Sequence, residues 1–131
     1  MTKSKSTLLI TGAGGWLGSS LIELTKEKYF RDTYKKVILC TFSSKEVDAK
    51  YAIEELNKDN NLKYNWLFGD LFLDKIYFDL KKILQKDEDL KVIYSASVIH
   101  AKSSKDFFRI NNRALEKFVN KISQYNLSKF L

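Results

Sequence analysis

The stretch Thr11-Gly12-Ala13-Gly14-Gly15-Trp16-Leu17-Gly18 constrains what this chain can fold into more than any other. An apolar run, Thr7-Leu8-Leu9-Ile10, precedes it, and Leu17, Leu21 and Leu24 then recur at i, i+4 and i+7. The first pattern suits a buried strand and the second one face of a helix. Glycines between them mark a strand–turn–helix junction, the setting that a phosphate-binding turn requires. One glycine lets the chain reverse tightly. Another lets the backbone approach a pyrophosphate with no Cβ in the way, and a third lets the helix pack close on the sheet. The helix N-terminus then offers N–H donors and the positive end of its dipole to an anion.

The spacing narrows the reading. Gly12 and Gly14 do not extend into G-x-G-x-x-G, because position 17 is Leu, whereas Gly12, Gly15 and Gly18 form T-G-x-x-G-x-x-G. That pattern resembles the short-chain dehydrogenase/reductase superfamily, in particular its extended branch of nucleotide-sugar epimerases, dehydratases and related reductases. The resemblance implies a Rossmann-like domain that binds NAD(P) through Thr11, Gly12, Gly14, Gly15, Trp16, Leu17 and Gly18.

The remaining chain alternates strand-like and helix-like segments. Lys36 to Thr41 reads as a second strand, Glu46 to Lys58 as a helix with Val47, Tyr51 and Leu56 inward, and Leu62 to Phe68 as a third strand. Lys75 to Gln85 reads as a helix with Ile76, Leu80, Ile83 and Leu84 on one face, and Leu90 to Tyr94 as a fourth strand. Asp106 is placed to cap a last helix carrying Phe107, Asn111, Ala114, Phe118 and Ile122 on a common face. Ser128 to Leu131 begins a further apolar segment. The expected fold is α/β: a doubly wound parallel sheet of order 3-2-1-4 with a stub of a fifth strand, and helices on both faces. With no linker and no proline, residues 1–131 are expected to form one NAD(P)-binding domain.

Three further segments resemble the extended-branch pattern in its order. Gly69-Asp70-Leu71 after the third strand stands where the family's Asp contacts adenine. Val92-Ile93-Tyr94-Ser95-Ala96-Ser97 resembles V-x-H-x-A-A, with Tyr94 in place of the usual His and Ser97 in place of the second Ala. Its small residues, Ser95, Ala96 and Ser97, would let the backbone pass close to the ribose and the nicotinamide side. Phe108 to Leu115 resembles N-V-x-G-T in part, with Asn111 at the Asn position and Ala114 and Leu115 where Gly and Thr are common.

Cofactor choice is expected from the end of the second strand, where an acid suits the 2′-hydroxyl of NAD and basic or hydroxyl groups suit the phosphate of NADP. The strand exits through Thr41, Phe42, Ser43, Ser44 and Lys45, and the first acid is Glu46. NADP is therefore the preferred expectation, with NAD second.

The chain has 131 residues, 44% of them hydrophobic, which supports one packed core. The net charge is +7, and 20 of the 23 basic residues are scattered Lys, which reads as a solvated surface and not a nucleic-acid face. No apolar run nears the roughly 18 residues of a membrane span. The apolar segment behind the basic N-terminus is too short for a signal peptide, so a cytoplasmic protein is expected. Cys40, the single cysteine, lies in an apolar strand and reads as a core residue in a reducing compartment. His100 is the single histidine, and no metal site is readable.

The resemblance covers only the first half of such an enzyme, so the chain is expected to stop before the catalytic Ser or Thr and the Tyr-x-x-x-Lys pair. Tyr77 with Lys81 and Tyr125 with Lys129 match that spacing. The first lies on a helix away from the nicotinamide end, and the second straddles a helix end and a strand start. A complete enzyme of this type would act on a nucleotide sugar or a similar small carbonyl or hydroxyl substrate. The alternatives are a thioester or acyl reductase of the same superfamily, or a non-catalytic NAD(P)-sensing or scaffolding module. With strand four flanked only by a fragment, an open sheet edge is expected to favour a homodimer or aggregation.

Overall fold

The structure, a computed structural model, describes residues 5–58, 62–96, 105 and 109–131. Ser97, His100, Asp106 and Phe107 lie outside the described residues. Strand β1 (Ser6–Thr11) is buried along its whole length. It lies between β2 (Tyr34–Thr41) and β4 (Asp89–Tyr94), both parallel to it. β3 (Lys63–Phe68) adds beyond β2 and β5 (Asn126–Phe130) beyond β4, giving one five-stranded sheet of order 3-2-1-4-5.

Strands with both faces covered must be apolar on both faces. β1 and β2 show this directly. Leu8, Ile10, Val37 and Leu39 point into one core, and Leu9, Ile38 and Cys40 into the other. The first core is closed by α1 (Trp16–Thr25), by α3 (Ile53–Asn57) and by Tyr51, with Phe30 of α2 (Lys28–Thr33) packed against it. The second is closed by α4 (Lys75–Ile83) and α5 (Ala114–Ile122). Burying each large aliphatic side chain contributes about 1.5–3 kcal/mol.

Several expectations are corrected. The α1 face that meets the sheet is Gly18, Ile22 and Thr25, while Leu17 and Leu24 are 51% and 50% exposed. The glycine sets the rotation of the helix, because only a residue without a side chain fits against the Gly12–Ala13 backbone. A Cβ on Gly18 would run into the Gly12 carbonyl oxygen and lie 2.6 Å from Ala13 Cα. The helix expected from Glu46 to Lys58 is instead two 3-10 turns, Ser44–Glu46 and Ala49–Tyr51, followed by the short α3. Ser43 Oγ accepts from Lys45 N–H (3.2 Å) and Asp48 Oδ1 from Lys50 N–H (3.2 Å). Each bond restarts a turn locally and competes with a continuous helix.

The fifth strand is present in the expected place beside β4. It starts at Asn126 and pairs with β4 from Asp89 to Val92. The pairing is extended by Tyr94 N–H to the Leu131 carbonyl (2.7 Å) and Leu131 N–H to the Val92 carbonyl (2.9 Å). Residues 126–131 therefore lie along β4, and β5 is the outer strand on that side of the sheet. The segment before α5 also departs from an uninterrupted helix, as Arg109–Arg113 forms a π turn. Among the described residues no helix is long and apolar enough to cross a membrane.

Candidate functional site

In a doubly wound sheet the chain leaves β1 in one direction and returns to β4 on the other side, which opens a crevice at the C-terminal strand ends. A pocket of about 490 Å³ lies there. Its lining comes from the ends of four strands: Gly12, Gly14 and Gly15 after β1; Cys40, Thr41, Phe42 and Glu46 on and after β2; Gly69, Asp70 and Leu71 after β3; and Tyr94, Ser95 and Ala96 at and after β4, with Ala114 of α5.

The glycine turn is held by backbone bonds. Gly15 N–H donates to the Gly12 carbonyl (3.0 Å) and Ala13 N–H to the Cys40 carbonyl (3.0 Å). Gly12 sits at φ 67°, where a side chain is strained, and a Cβ there would lie 2.7 Å from the Ser95 carbonyl oxygen. Gly15 is less confined: a Cβ there would meet one atom within 4 Å, the Gly12 carbonyl oxygen, in a tight contact at 3.3 Å. Helix α1 starts at this point with no side chain capping it and no acid in its first turn. Its first intrahelical bond is made by Ser19 N–H to the Gly15 carbonyl (2.9 Å). The N–H groups of Trp16, Leu17 and Gly18 precede that bond, which makes this end of α1 a donor site for an anion.

The strand ends are tied together around the pocket. Thr11 is fully buried, and its Oγ1 accepts from Ser95 N–H (3.1 Å) and Ala96 N–H (3.2 Å). Gly69 N–H donates to the Thr41 carbonyl (3.0 Å), joining β3 to β2. Asp70 Oδ1 accepts from Phe72 N–H (2.9 Å), which orients the carboxylate at the pocket wall.

Of the residues expected from sequence, Gly12, Gly14, Gly15, Phe42, Asp70, Leu71, Ser95 and Ala96 are brought together on the lining. Thr11 and Gly18 lie behind it as buried supports, and the Trp16 and Leu17 side chains face solvent. Ser43, Ser44, Lys45 and Asn111 are off the lining, and Ser97 is outside the described residues.

Sequence reasoning missed Glu46 as a wall residue. The Thr41 hydroxyl donates to its carboxylate, and a Cβ on Gly14 would lie 2.8 Å from Glu46 Cβ. The signal was present: Glu46 is the first acid after β2. Only the 3-10 turn Ser44–Glu46 brings it back over the glycine turn.

Burial pushes the Tyr94 hydroxyl up to about 12, and its oxygen is buried without a hydrogen-bond partner among the described residues. Burial likewise pushes the Cys40 thiol up to about 12, so Cys40 is an inert part of the wall. Tyr77 is raised further, chiefly by burial, and its hydroxyl is spent on the Leu71 carbonyl (2.5 Å).

The described chain thus has a Rossmann-type fold with a glycine-turn pocket at its switch point. The particular solved structures that it resembles are enzymes. It aligns with an epimerase from the methanogen Methanothermobacter thermautotrophicus at 15% identity and TM-score 0.69, covering 97% of this chain and 34% of that one. It aligns with a mutant uronate dehydrogenase from Agrobacterium tumefaciens complexed with NAD at 13% identity and TM-score 0.61, covering 96% and 40%. A thiolation-reductase di-domain from an archaeal non-ribosomal peptide synthetase aligns at 20% identity and TM-score 0.65, covering 97% and 34%. The chain therefore spans little more than a third of the length of these proteins, and at such identities the likeness is one of fold. No family model and no curated protein sequence matches the chain.

Proposed function

We propose that this chain is the dinucleotide-binding portion of an NAD-dependent oxidoreductase, epimerase or dehydratase that acts on a nucleotide sugar or a similar small carbonyl or hydroxyl substrate. One observation carries the reading: the uncapped N-terminus of α1 opens through Gly14 and Gly15 onto the pocket at the switch point. The pyrophosphate is the part of the ligand suited to that end of the helix. The nicotinamide, when bound, supplies hydride transfer. This chain's residues bind and orient: the glycine turn takes the pyrophosphate, Asp70 the adenine amino group, and Ser95 and Ala96 border the ribose on the nicotinamide side.

Where the sequence favours NADP, we infer NAD as the preferred cofactor. Ser43, Ser44 and Lys45, which favoured NADP, are off the pocket, and the Glu46 carboxylate is on it. A carboxylate accepts a hydrogen bond from a ribose hydroxyl, but it repels a phosphate in the same place by about 4 kcal/mol at 4 Å and an effective dielectric of 20. The dehydrogenase complexed with NAD is consistent with a nicotinamide dinucleotide, at the level of fold likeness.

Calorimetric titration with NAD tests the assignment. Gly15→Val places a branched side chain on the pocket lining beside the helix end, and binding is expected to fall at least tenfold. Equal affinity of the two proteins for NAD would remove the basis of the proposal.

A further inference from the structure

The loop from Asp70 to Asp74 joins β3 to α4 and brings Asp70 and Leu71 to the pocket lining. Its own bonds are short-range: Phe72 N–H donates to Asp70 Oδ1 (2.9 Å) and Leu73 N–H to the Asp70 carbonyl (3.0 Å). Two side chains hold the loop from outside. The Tyr77 hydroxyl, from the first turn of α4, donates to the Leu71 carbonyl. Lys117 reaches the loop from α5, 45 positions beyond Phe72. Its Nζ donates to the Phe72 carbonyl (2.9 Å), pairs with Asp74 Oδ1 (2.7 Å) and lies 5.7 Å from the centroid of the Phe72 ring.

These contacts differ in weight. The Asp74 side chain is 63% exposed, and an exposed ion pair contributes little to stability. The bond to the Phe72 carbonyl is part-buried and charge-assisted, which makes it the firmer of the two. It fixes the residue whose N–H orients the Asp70 carboxylate. Lys117 itself is off the pocket lining, whereas Ala114, three residues earlier on the same face of α5, is on it. Helix α5 therefore meets the pocket twice, directly at Ala114 and through Lys117 at the loop after β3.

We propose that Lys117 is a positioning residue: it clamps the Phe72 carbonyl, and through it the Asp70 carboxylate, so that affinity for the ligand depends on a cation that lies off the pocket. The inference rests on the dinucleotide reading above and adds to it a support that comes from α5.

The test combines calorimetric titration with NAD, hydrogen exchange at the Phe72 and Leu73 amides, and thermal denaturation. Lys117→Met keeps the apolar stem and removes the donor. Its NAD affinity is expected to fall about tenfold, the size of a lost bond from a charged donor. The Phe72 and Leu73 amides are expected to exchange at least about tenfold faster, with the thermal midpoint near that of the unsubstituted protein. Lys117→Arg, which keeps a long cationic donor, is expected to restore both readouts. Lys121→Met removes an equal charge one turn further along α5, where the ammonium lies 5.9 Å from the centroid of the Tyr77 ring. It is expected to change NAD affinity less than about twofold. Unchanged affinity and exchange in Lys117→Met overturn the proposal, and so does an equal loss in Lys121→Met, which would make the effect one of net charge. Faster exchange at amides throughout the chain, in step with a lower thermal midpoint, also overturns it, since Lys117 would then support the fold and not the loop. No NAD binding by the unsubstituted protein overturns the dinucleotide reading and the ligand role of Lys117 together, while exchange at Phe72 and Leu73 still reads the clamp by itself.

Discussion

Thr11 and Ser95, 84 positions apart, are joined by hydrogen bonds in both directions. Thr11 Oγ1 accepts from Ser95 N–H at 3.1 Å, and Ser95 Oγ donates to the Thr11 carbonyl at 2.5 Å. The pair fastens the C-terminal end of β1 to that of β4, the two strands between which the chain changes direction. Thr11→Val keeps the shape of the side chain and removes the acceptor, leaving the Ser95 and Ala96 N–H groups without it. A loss of about 1–3 kcal/mol in unfolding free energy is expected, measured by urea denaturation. A variant as stable as the unsubstituted protein would show that the bond is replaceable by water.

Two glycines of the turn are expected to fail in different ways. Gly12→Ala meets both a positive φ and the Ser95 carbonyl oxygen 2.7 Å from the new Cβ, so it should destabilise the fold by at least about 2 kcal/mol. Gly15→Val has a normal φ and one tight Cβ contact, 3.3 Å from the Gly12 carbonyl oxygen, so it should destabilise the fold less than Gly12→Ala while abolishing ligand binding. Thermal denaturation separates the two. If Gly15→Val unfolds as readily as Gly12→Ala, its effect on binding says nothing about the pocket.

Glu46→Gln removes the negative charge from the β2 side of the pocket and keeps an acceptor for the Thr41 hydroxyl. The ratio of NADP to NAD affinity is expected to rise about tenfold, which corresponds to 1.4 kcal/mol, well below the full Coulomb repulsion. Competition titrations with the two cofactors read this directly, and an unchanged ratio would remove Glu46 from cofactor choice.

At the opposite end of the sheet, Glu88 is 7% exposed. It accepts from Thr7 Oγ1 (2.6 Å), Gln85 N–H (2.9 Å) and Lys36 Nζ (3.1 Å). Burial alone would raise its pKa, but the bonds from Thr7, Gln85 and Lys36 outweigh burial and hold it below the usual carboxylate range. The folded state thus binds this proton less readily than the unfolded state. The stabilisation is fully present above the unfolded value, about 4.3, and is lost as pH falls through the depressed folded value. Unfolding free energy measured between pH 6 and pH 3 should fall less steeply in Glu88→Gln than in the unsubstituted protein, and the variant should be weaker at pH 7 by about 1–3 kcal/mol. Parallel pH profiles would show that other carboxylates carry the acid sensitivity.

The sequence by itself determined the order of the strands, the parallel sheet and the place of the glycine turn. These follow from patterns of short range. Runs such as Leu8-Leu9-Ile10 and Val37-Ile38-Leu39 are apolar on both faces, so they require cover on both sides wherever they lie. The alternation of Leu62, Tyr64 and Trp66 likewise places one face of β3 against a core. Tertiary structure alone decided which residues meet. Periodicity marks a face as buried but does not say what it packs against, and so Leu17 and Leu24 of α1 gave way to Gly18 and Ile22 at the sheet. In the same way the ladder of β5 formed two residues earlier than its apolar residues indicated, because main-chain hydrogen bonds to β4 do not depend on side-chain polarity. Glu46 entered the pocket because Ser43 and Asp48 break the expected helix into turns and Thr41 draws the carboxylate back over Gly14. Those bonds are local, but the approach of Glu46 to Gly14 depends on the pairing of β1 with β2, which no spacing along the chain encodes.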